Sequence, residues 1–328
     1  MNRATLLTLV TAAIAVAIGC ARALPAASRP LSGPVSAAAR GDEVRLGQRL
    51  FEDPRLSRTG AVSCKTCHDP AFGLSDGRRV SAGVEGRLGN RNSPSILVAA
   101  TTPALFWDGR AASLEAQALG PIANPLEMDR DPQAVVAELA ATPAYAAAFR
   151  QVYPDGVTTA NLARAIAAFE RTIGPGPSPH DRWLAGEADA MSPAAVRGRE
   201  VFRQNRCMAC HKGPDLTDHG FYNVGWGLDQ PSPDPGRAAV TQDPKDVGKF
   251  KTPTLRNVQE SAPYFHDGRA ATLEAVVDYY DKGGNPHPNL DFRVRPLNLT
   301  AADKADLLAF LRSLSGGSTY PASSRRAP

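Results

Sequence analysis

Cys64-Lys65-Thr66-Cys67-His68 recurs as a pattern at Cys207-Met208-Ala209-Cys210-His211. In each stretch two thiols three residues apart, on a short helical turn, can form thioethers to both vinyl groups of one haem. The adjacent histidine then points at the iron as its proximal ligand. The competing reading is a zinc or redox CxxC. It is weak because both motifs end in His and no partner Cys pair remains: of five cysteines, only Cys20 lies outside the motifs. Two covalent c-type haems are therefore expected, one on Cys64, Cys67 and His68, the other on Cys207, Cys210 and His211.

Outward from the motifs, the chain carries a diverged internal duplication. Phe106-Trp107-Asp108-Gly109-Arg110-Ala111-Ala112-Ser113-Leu114-Glu115-Ala116 matches Phe265-His266-Asp267-Gly268-Arg269-Ala270-Ala271-Thr272-Leu273-Glu274-Ala275 at an offset of 159 residues. Ser93-Pro94-Ser95-Ile96 matches Thr252-Pro253-Thr254-Leu255 at the same offset. The haem motifs lie 143 apart, so the second copy holds about 16 extra residues, best placed in a surface loop at Gln230 to Lys245. The Gly- and Pro-rich stretch between Gly174 and Ser192 is the expected boundary.

The 328 residues are 43% hydrophobic with 28 Gly and 28 Pro, enough for two cores joined by many turns. A net charge of +4 with scattered basic residues gives no case for nucleic-acid binding. Residues 1–23 read as a signal peptide: Arg3, the apolar run Leu6 to Ile18, then Ala21-Arg22-Ala23 as cleavage site. Ala17-Ile18-Gly19-Cys20 is a loose lipobox, so lipidation at Cys20 is the alternative and the only route to a membrane. A periplasmic protein is expected. Residues 24–40 read as a linker, 41–185 as the N-terminal haem domain, 186–316 as the C-terminal haem domain and 317–328 as a flexible tail.

The fold class expected is mainly α, two cytochrome-c-like domains with few short strands. Asp42 to Phe51 predicts a helix before the first haem motif, and Ala194 to Phe202 one before the second. Thr158 to Ile173 aligns Leu162, Ala165, Ile166 and Phe169 on one face. Thr300, with Asp303 three residues on, caps a helix carrying Leu307, Leu308, Leu311 and Leu314. Leu273, Val276, Val277 and Tyr280 share a helix face. If that face covers the second haem, Tyr280 reaches toward its iron; otherwise it is a core aromatic. His180, His219, His266 and His287 are further candidates for a sixth ligand, or solvated loop residues.

With these motifs, Arg91-Asn92-Ser93-Pro94-Ser95, Gly120-Pro121-Ile122, Asn124-Pro125-Leu126-Glu127-Met128 and Thr252-Pro253-Thr254-Leu255-Arg256-Asn257, the chain resembles the bacterial di-haem cytochrome c peroxidases from about Leu46 to Leu314. The resemblance implies a peroxidatic N-terminal haem fed with electrons by the C-terminal one. It implies Glu127 as distal acid/base, Gln117 as its neighbour and Trp107 as the tryptophan between the haems. It also implies one calcium ion held by Asn92 and the carbonyls of Ser261 and Pro263. Read alone, Glu127 would be a surface charge and Trp107 a core aromatic.

Two departures point to the MauG-type subgroup. The classical family has a blocking distal histidine sixteen residues after His68, where this chain has Val84. It has an axial methionine fourteen residues after His266, where this chain has Tyr280, with Tyr279 the neighbouring alternative. A hard phenolate donor stabilises ferric iron. Three functions are compatible with these residues. One is a peroxidase taking electrons from a small cytochrome c or cupredoxin. Another is a MauG-type enzyme spending peroxide equivalents on a protein substrate. The third is a plain electron carrier, against which Glu127 and Gln117 argue. Both monomers and homodimers are compatible with the resemblance.

Overall fold

Each half is built by crossing the helix before its haem motif with the last helix of the same half. The computed structural model describes residues 37–321. In the N-terminal half α1 (Ala37–Phe51) leads to α2 (Cys64–Cys67), followed by α3 (Leu114–Ala123), α4 (Pro132–Ala141), α5 (Pro143–Val152) and α6 (Thr159–Glu170). In the C-terminal half come α7 (Pro179–Leu184), α8 (Pro193–Gln204), β1 (Phe221–Asn223), α9 (Ala238–Thr241), β2 (Lys249–Lys251), α10 (Leu273–Asp281) and α11 (Ala301–Arg312). β1 and β2 pair antiparallel as the one sheet among the described residues, with Tyr222 opposite Phe250. The protein is thus mainly α.

The two crossings repeat each other. A Cβ on Gly47 of α1 would meet the Ala165 carbonyl oxygen at 1.9 Å, and one on Gly198 of α8 would meet that of Asp306 at 1.8 Å. Only glycine lets backbones approach so closely. Beside each crossing an aromatic pair wedges against the haem histidine. Phe51 meets Phe169 at 5.3 Å and His68 at 6.5 Å; Phe202 meets Phe310 at 5.2 Å and His211 at 6.4 Å. Leu50, Phe51, Leu162, Ile166 and Phe169 anchor the first core; Phe202, Leu307, Phe310, Leu311 and Leu314 anchor the second. Each such side chain contributes about 1.5–3 kcal/mol on full burial. The reciprocal cap of Thr300 and Asp303 forms as expected.

Several expectations need correction. Residues 37–40, placed in the linker, open α1; the rest of that linker and the export segment lie outside the described residues. The stretch from Gly317 is no free tail as far as it is described. Thr319 N donates to Gly174 O, and Tyr320 enters the first core, packs on Phe169 at 5.5 Å and donates to Glu52. The insertion at 230–245 does more than cover surface: Asp234 and Arg237 bond to Arg91 and Asp108 of the first half. Among the described residues no helix is long and apolar enough to cross a membrane.

Candidate active site

The duplication reaches single hydrogen bonds around the haem motifs. His68 Nδ1 lies 3.1 Å from Leu74 O, and His211 Nδ1 lies 3.1 Å from Leu216 O. Each carbonyl accepts a hydrogen bond from Nδ1–H and leaves Nε2 as the free lone-pair donor to a metal. Burial holds both rings below the ordinary histidine pKa, hence neutral and able to ligate. Ser75 Oγ donates to Ser93 O at 2.7 Å as Thr217 Oγ1 donates to Thr252 O at 2.8 Å. Ser95 Oγ donates to Gly73 O as Thr254 Oγ1 donates to Asp215 O, both at 2.6 Å.

Cys67, His68, Cys207, Cys210 and His211 line one continuous cavity of about 1130 Å³. Cys64 stands just behind it, packed on the first core. None of these four cysteines is paired in a disulfide. Among the described residues no three His, Cys, Asp or Glu side chains converge to hold a metal, so the zinc reading finds no ligand set. The residues fit two haems: paired thiols, a neutral histidine with its outer nitrogen fixed, and a largely apolar chamber at each motif.

The sequence-predicted site residues Glu127, Gln117, Trp107, Asn92, Ser261, Pro263 and Tyr280 all reach this cavity. Gln117 projects from α3, which Ser113 caps by accepting from Ala116 N at 3.1 Å. Glu127 sits in the turn after α3, and Asn124 Nδ2 donates to its Oε1 at 2.6 Å. Burial raises the Glu127 pKa against the opposing pull of Asn124 and Arg110. Val84 is fully buried in the first core, and its N–H donates to Glu127 O at 2.8 Å. The position where the resemblance places a ligand in the classical family here braces the turn that carries Glu127. Gly83 makes that brace possible, since a Cβ there would meet Leu126 O at 2.2 Å.

Trp107 ties the halves together. Its Nε1 donates to Asn92 O at 2.9 Å, and its own carbonyl accepts from Lys251 N at 2.8 Å. The expected surface loop clamps this junction. Asp234 accepts a bidentate pair from Arg91 at 2.7 and 2.9 Å, Arg91 also reaches Asp108 at 2.7 Å, and Arg237 donates to the carbonyls of Asp108 and Gly109. Asn92 Nδ2 donates to Arg78 O at 2.8 Å, and Ser261 Oγ to Val258 O. An ion held by Asn92 Oδ1 and the Ser261 and Pro263 carbonyls would rest on neutral oxygens and water, a set acceptable to calcium.

Leu273, Val276, Val277 and Tyr280 of α10 all face the cavity. Tyr279 turns away: its hydroxyl donates to Val224 O at 2.8 Å, and its ring meets Trp226 edge-on at 4.7 Å. Of the other histidines, His219 and His266 line the cavity. His266 is stacked on Phe250 at 3.7 Å, and burial pulls its pKa down to about 4. His180 meets Phe310 edge-on at 5.4 Å and His287 pairs with Asn223 at 3.1 Å, both away from the cavity.

One residue was missed. The offset that aligns Trp107 with His266 aligns Pro121 with Tyr280, and both line the cavity from equivalent helices. Where the second half offers a phenol, the first offers a ring with no donor atom.

Comparison with known proteins agrees with this geometry. Residues 41–189 match the family model "Di-haem cytochrome c peroxidase", and residues 195–315 match "Cytochrome c". The methylamine utilization protein MauG of Methylorubrum extorquens is 40% identical over 278 residues, 83% of this chain and 78% of that one. The chain belongs to the di-haem cytochrome c peroxidase/MauG family. A cytochrome-c peroxidase of Denitromonas iodatirespirans is 37% identical over 324 residues, covering 89% of this chain and 85% of that one. A crystal structure of a MauG-like protein associated with microbial copper homeostasis superimposes with a TM-score of 0.78 at 35% identity, covering 89% and 93% of the two chains. This family member is therefore a peroxidase-type oxidoreductase with two c-type haems, acting on peroxide with a redox partner or protein substrate.

Proposed function

We propose that the chain is a periplasmic enzyme that reduces hydrogen peroxide to water at its N-terminal haem. Electrons enter through the C-terminal haem from a small cytochrome c or cupredoxin. The observation that carries this reading is the unequal pair Pro121 and Tyr280, one half open beside Glu127 and Gln117, the other faced by a phenol. The haem on His68, when bound, supplies the redox centre for peroxide. Glu127 takes the proton of the oxygen that approaches it and returns it to the oxygen that leaves as water. Two further protons and two electrons complete the pair of water molecules. A group that must both accept and give a proton works best with a pKa moved toward the working pH, the direction in which burial moves Glu127. Gln117 donates from the neighbouring turn of the wall. Trp107, bonded to both halves, lies on the route between the haems.

His211 and Tyr280 ligate the second iron in this reading, Tyr280 as phenolate; burial, reinforced by Tyr279, Cys207 and Cys210, holds its phenol above the ordinary range, so the bound cation supplies the ionisation. Asn92, Ser261 and Pro263 hold a calcium ion. Export through the segment at 1–23 supports a periplasmic location. Tyr280 also favours the second reading, a MauG-type enzyme that spends the same equivalents on a protein substrate. The test is spectral. Adding hydrogen peroxide to the fully oxidised holoprotein should shift the Soret band without prior reduction. An unmoved band would refute the open first haem. Turnover with reduced cytochrome c then favours the peroxidase, and its absence the MauG-type alternative.

A further inference from the structure

Lys251 ends β2 and lines the cavity between the halves. It is surrounded by protein except where it meets the cavity, and it forms no ion pair or side-chain hydrogen bond among the described residues. Nearby charges are already engaged. Lys249 pairs with Asp246, Asp218 binds Tyr222 and the Gly220 N–H, and Asp291 holds Arg293. His219 faces Lys251, its Nδ1 buried without a partner. Burial alone pulls the Lys251 pKa down to about 8, with no anion opposing it. A desolvated ammonium is costly unless an anion meets it.

The internal repeat shows where that anion belongs. Lys251 occupies the place of Asn92: Lys251 N donates to Trp107 O and Asn92 N donates to His266 O, each at 2.8 Å. In the first half the next residue, Ser93, gives its hydroxyl to Cys67 O at 2.7 Å, against the haem motif. In the second half β2 runs into Thr252 and Pro253, whose backbone lies against the His211 loop and ring. Lys251 is thus a fixed positive charge beside the second haem motif, where the first half has a neutral amide.

We propose that Lys251 binds a propionate carboxylate of the haem attached at Cys207 and Cys210, and that its charge raises that haem's reduction potential. The bond is a charge-assisted N–H···O pair, strong in a dry chamber. A cation beside a haem favours the ferrous state, which carries one positive charge fewer on iron. Lys251 is a positioning and tuning residue, and it opposes the lowering that a phenolate ligand brings. The inference rests on the two-haem reading of the site.

The test uses holoprotein with haem counted first, followed by redox titration with each ferric haem tracked by electron paramagnetic resonance. In Lys251→Met, the ferrous-to-ferric ratio of the second haem at a fixed applied potential should fall about tenfold, the scale of one partly screened charge. Lys251→Arg should keep the parent ratio. The assignment is overturned if Lys251→Met carries two haems and titrates as the parent does. It is also overturned if Lys251→Arg falls as far as Lys251→Met, or if only the first haem moves. A parent protein with fewer than two haems would remove the underlying reading instead.

Discussion

Into the cavity the N-terminal half presents Gln117, Pro121, Asn92 and Glu170; at the corresponding places the C-terminal half presents Val276, Tyr280, Lys251 and Leu311. Around these positions the scaffold is the same. Both halves cross helices at a glycine, wedge a Phe pair against the haem histidine and tie its Nδ1 to a loop carbonyl. The contrast separates two tasks. Holding a haem needs the repeated backbone and core. Deciding what its iron meets needs a few cavity-facing side chains, and these have diverged. The polar set of the first half suits proton transfer. At these four places the second half is apolar apart from one phenol and one ammonium, which suits a closed electron carrier.

The sharpest way to break the contrast is to give the first half the residue of the second. Pro121→Tyr should place a phenol toward the haem on His68, abolish its high-spin resonance and eliminate the Soret response to peroxide. A retained response would show that this pair of positions does not set which iron is open. Next in size, Glu127→Gln should leave the ferric spectrum of the open haem in place but slow the peroxide response by about two orders of magnitude or more, if general acid/base catalysis carries it. Stopped-flow rates equal to the parent's would strip Glu127 of its role. In the parent the rate should also fall on acidification through the raised Glu127 pKa, because only the ionised carboxylate accepts a proton. Smaller still, Tyr280→Met should change the second haem's spectrum and raise its potential while the first haem stays open. An unchanged spectrum would return Tyr280 to the core.

Much of this was legible in the chain because it depends on local spacing. CxxCH names its own chemistry, the spacing in α10 puts Tyr280 on one face with Leu273, Val276 and Val277, and the offset of the repeat aligns the halves. Tyr279 and Tyr280 are adjacent, and only the fold shows which one Val224 engages. Helices α4 and α5 escape a periodicity reading because Ala-rich turns blur their apolar stripe, though Val135, Leu139, Tyr145 and Phe149 are buried. Asp234 finds Arg91 across 143 residues, and Tyr320 returns to a core begun at α1. No local pattern announces such contacts. Pro121 was within reach, since the offset already stood in the sequence; what was lacking was the helix face that looks into the cavity.

Glu170 tests the contrast at its quietest point. At the end of α6 it reads as a solvated charge, yet it is 4% exposed, and its Oε2 is buried without a partner. Leu311 fills the equivalent place in α11, beside Phe310 as Glu170 lies beside Phe169. Burial pushes the Glu170 pKa up to about 8, only partly offset by Arg171. In the unfolded chain it titrates near the ordinary value of about 4.3. Between those limits the native state holds a proton that the unfolded state has lost, so stability falls as pH rises through the window. The loss should be on the order of a few kcal/mol when complete. Glu170→Leu, borrowing the residue of the other half, should remove this slope and make the holoprotein more stable than the parent above about pH 8. Glu170→Gln should flatten the slope as well, separating charge from shape. Denaturant melts at pH 5 and pH 9 decide it: equal parent and variant differences at the two values would mean that Glu170 ionises in the fold as freely as in water. A second half that tolerates leucine at this place would then say nothing about why the first keeps an acid.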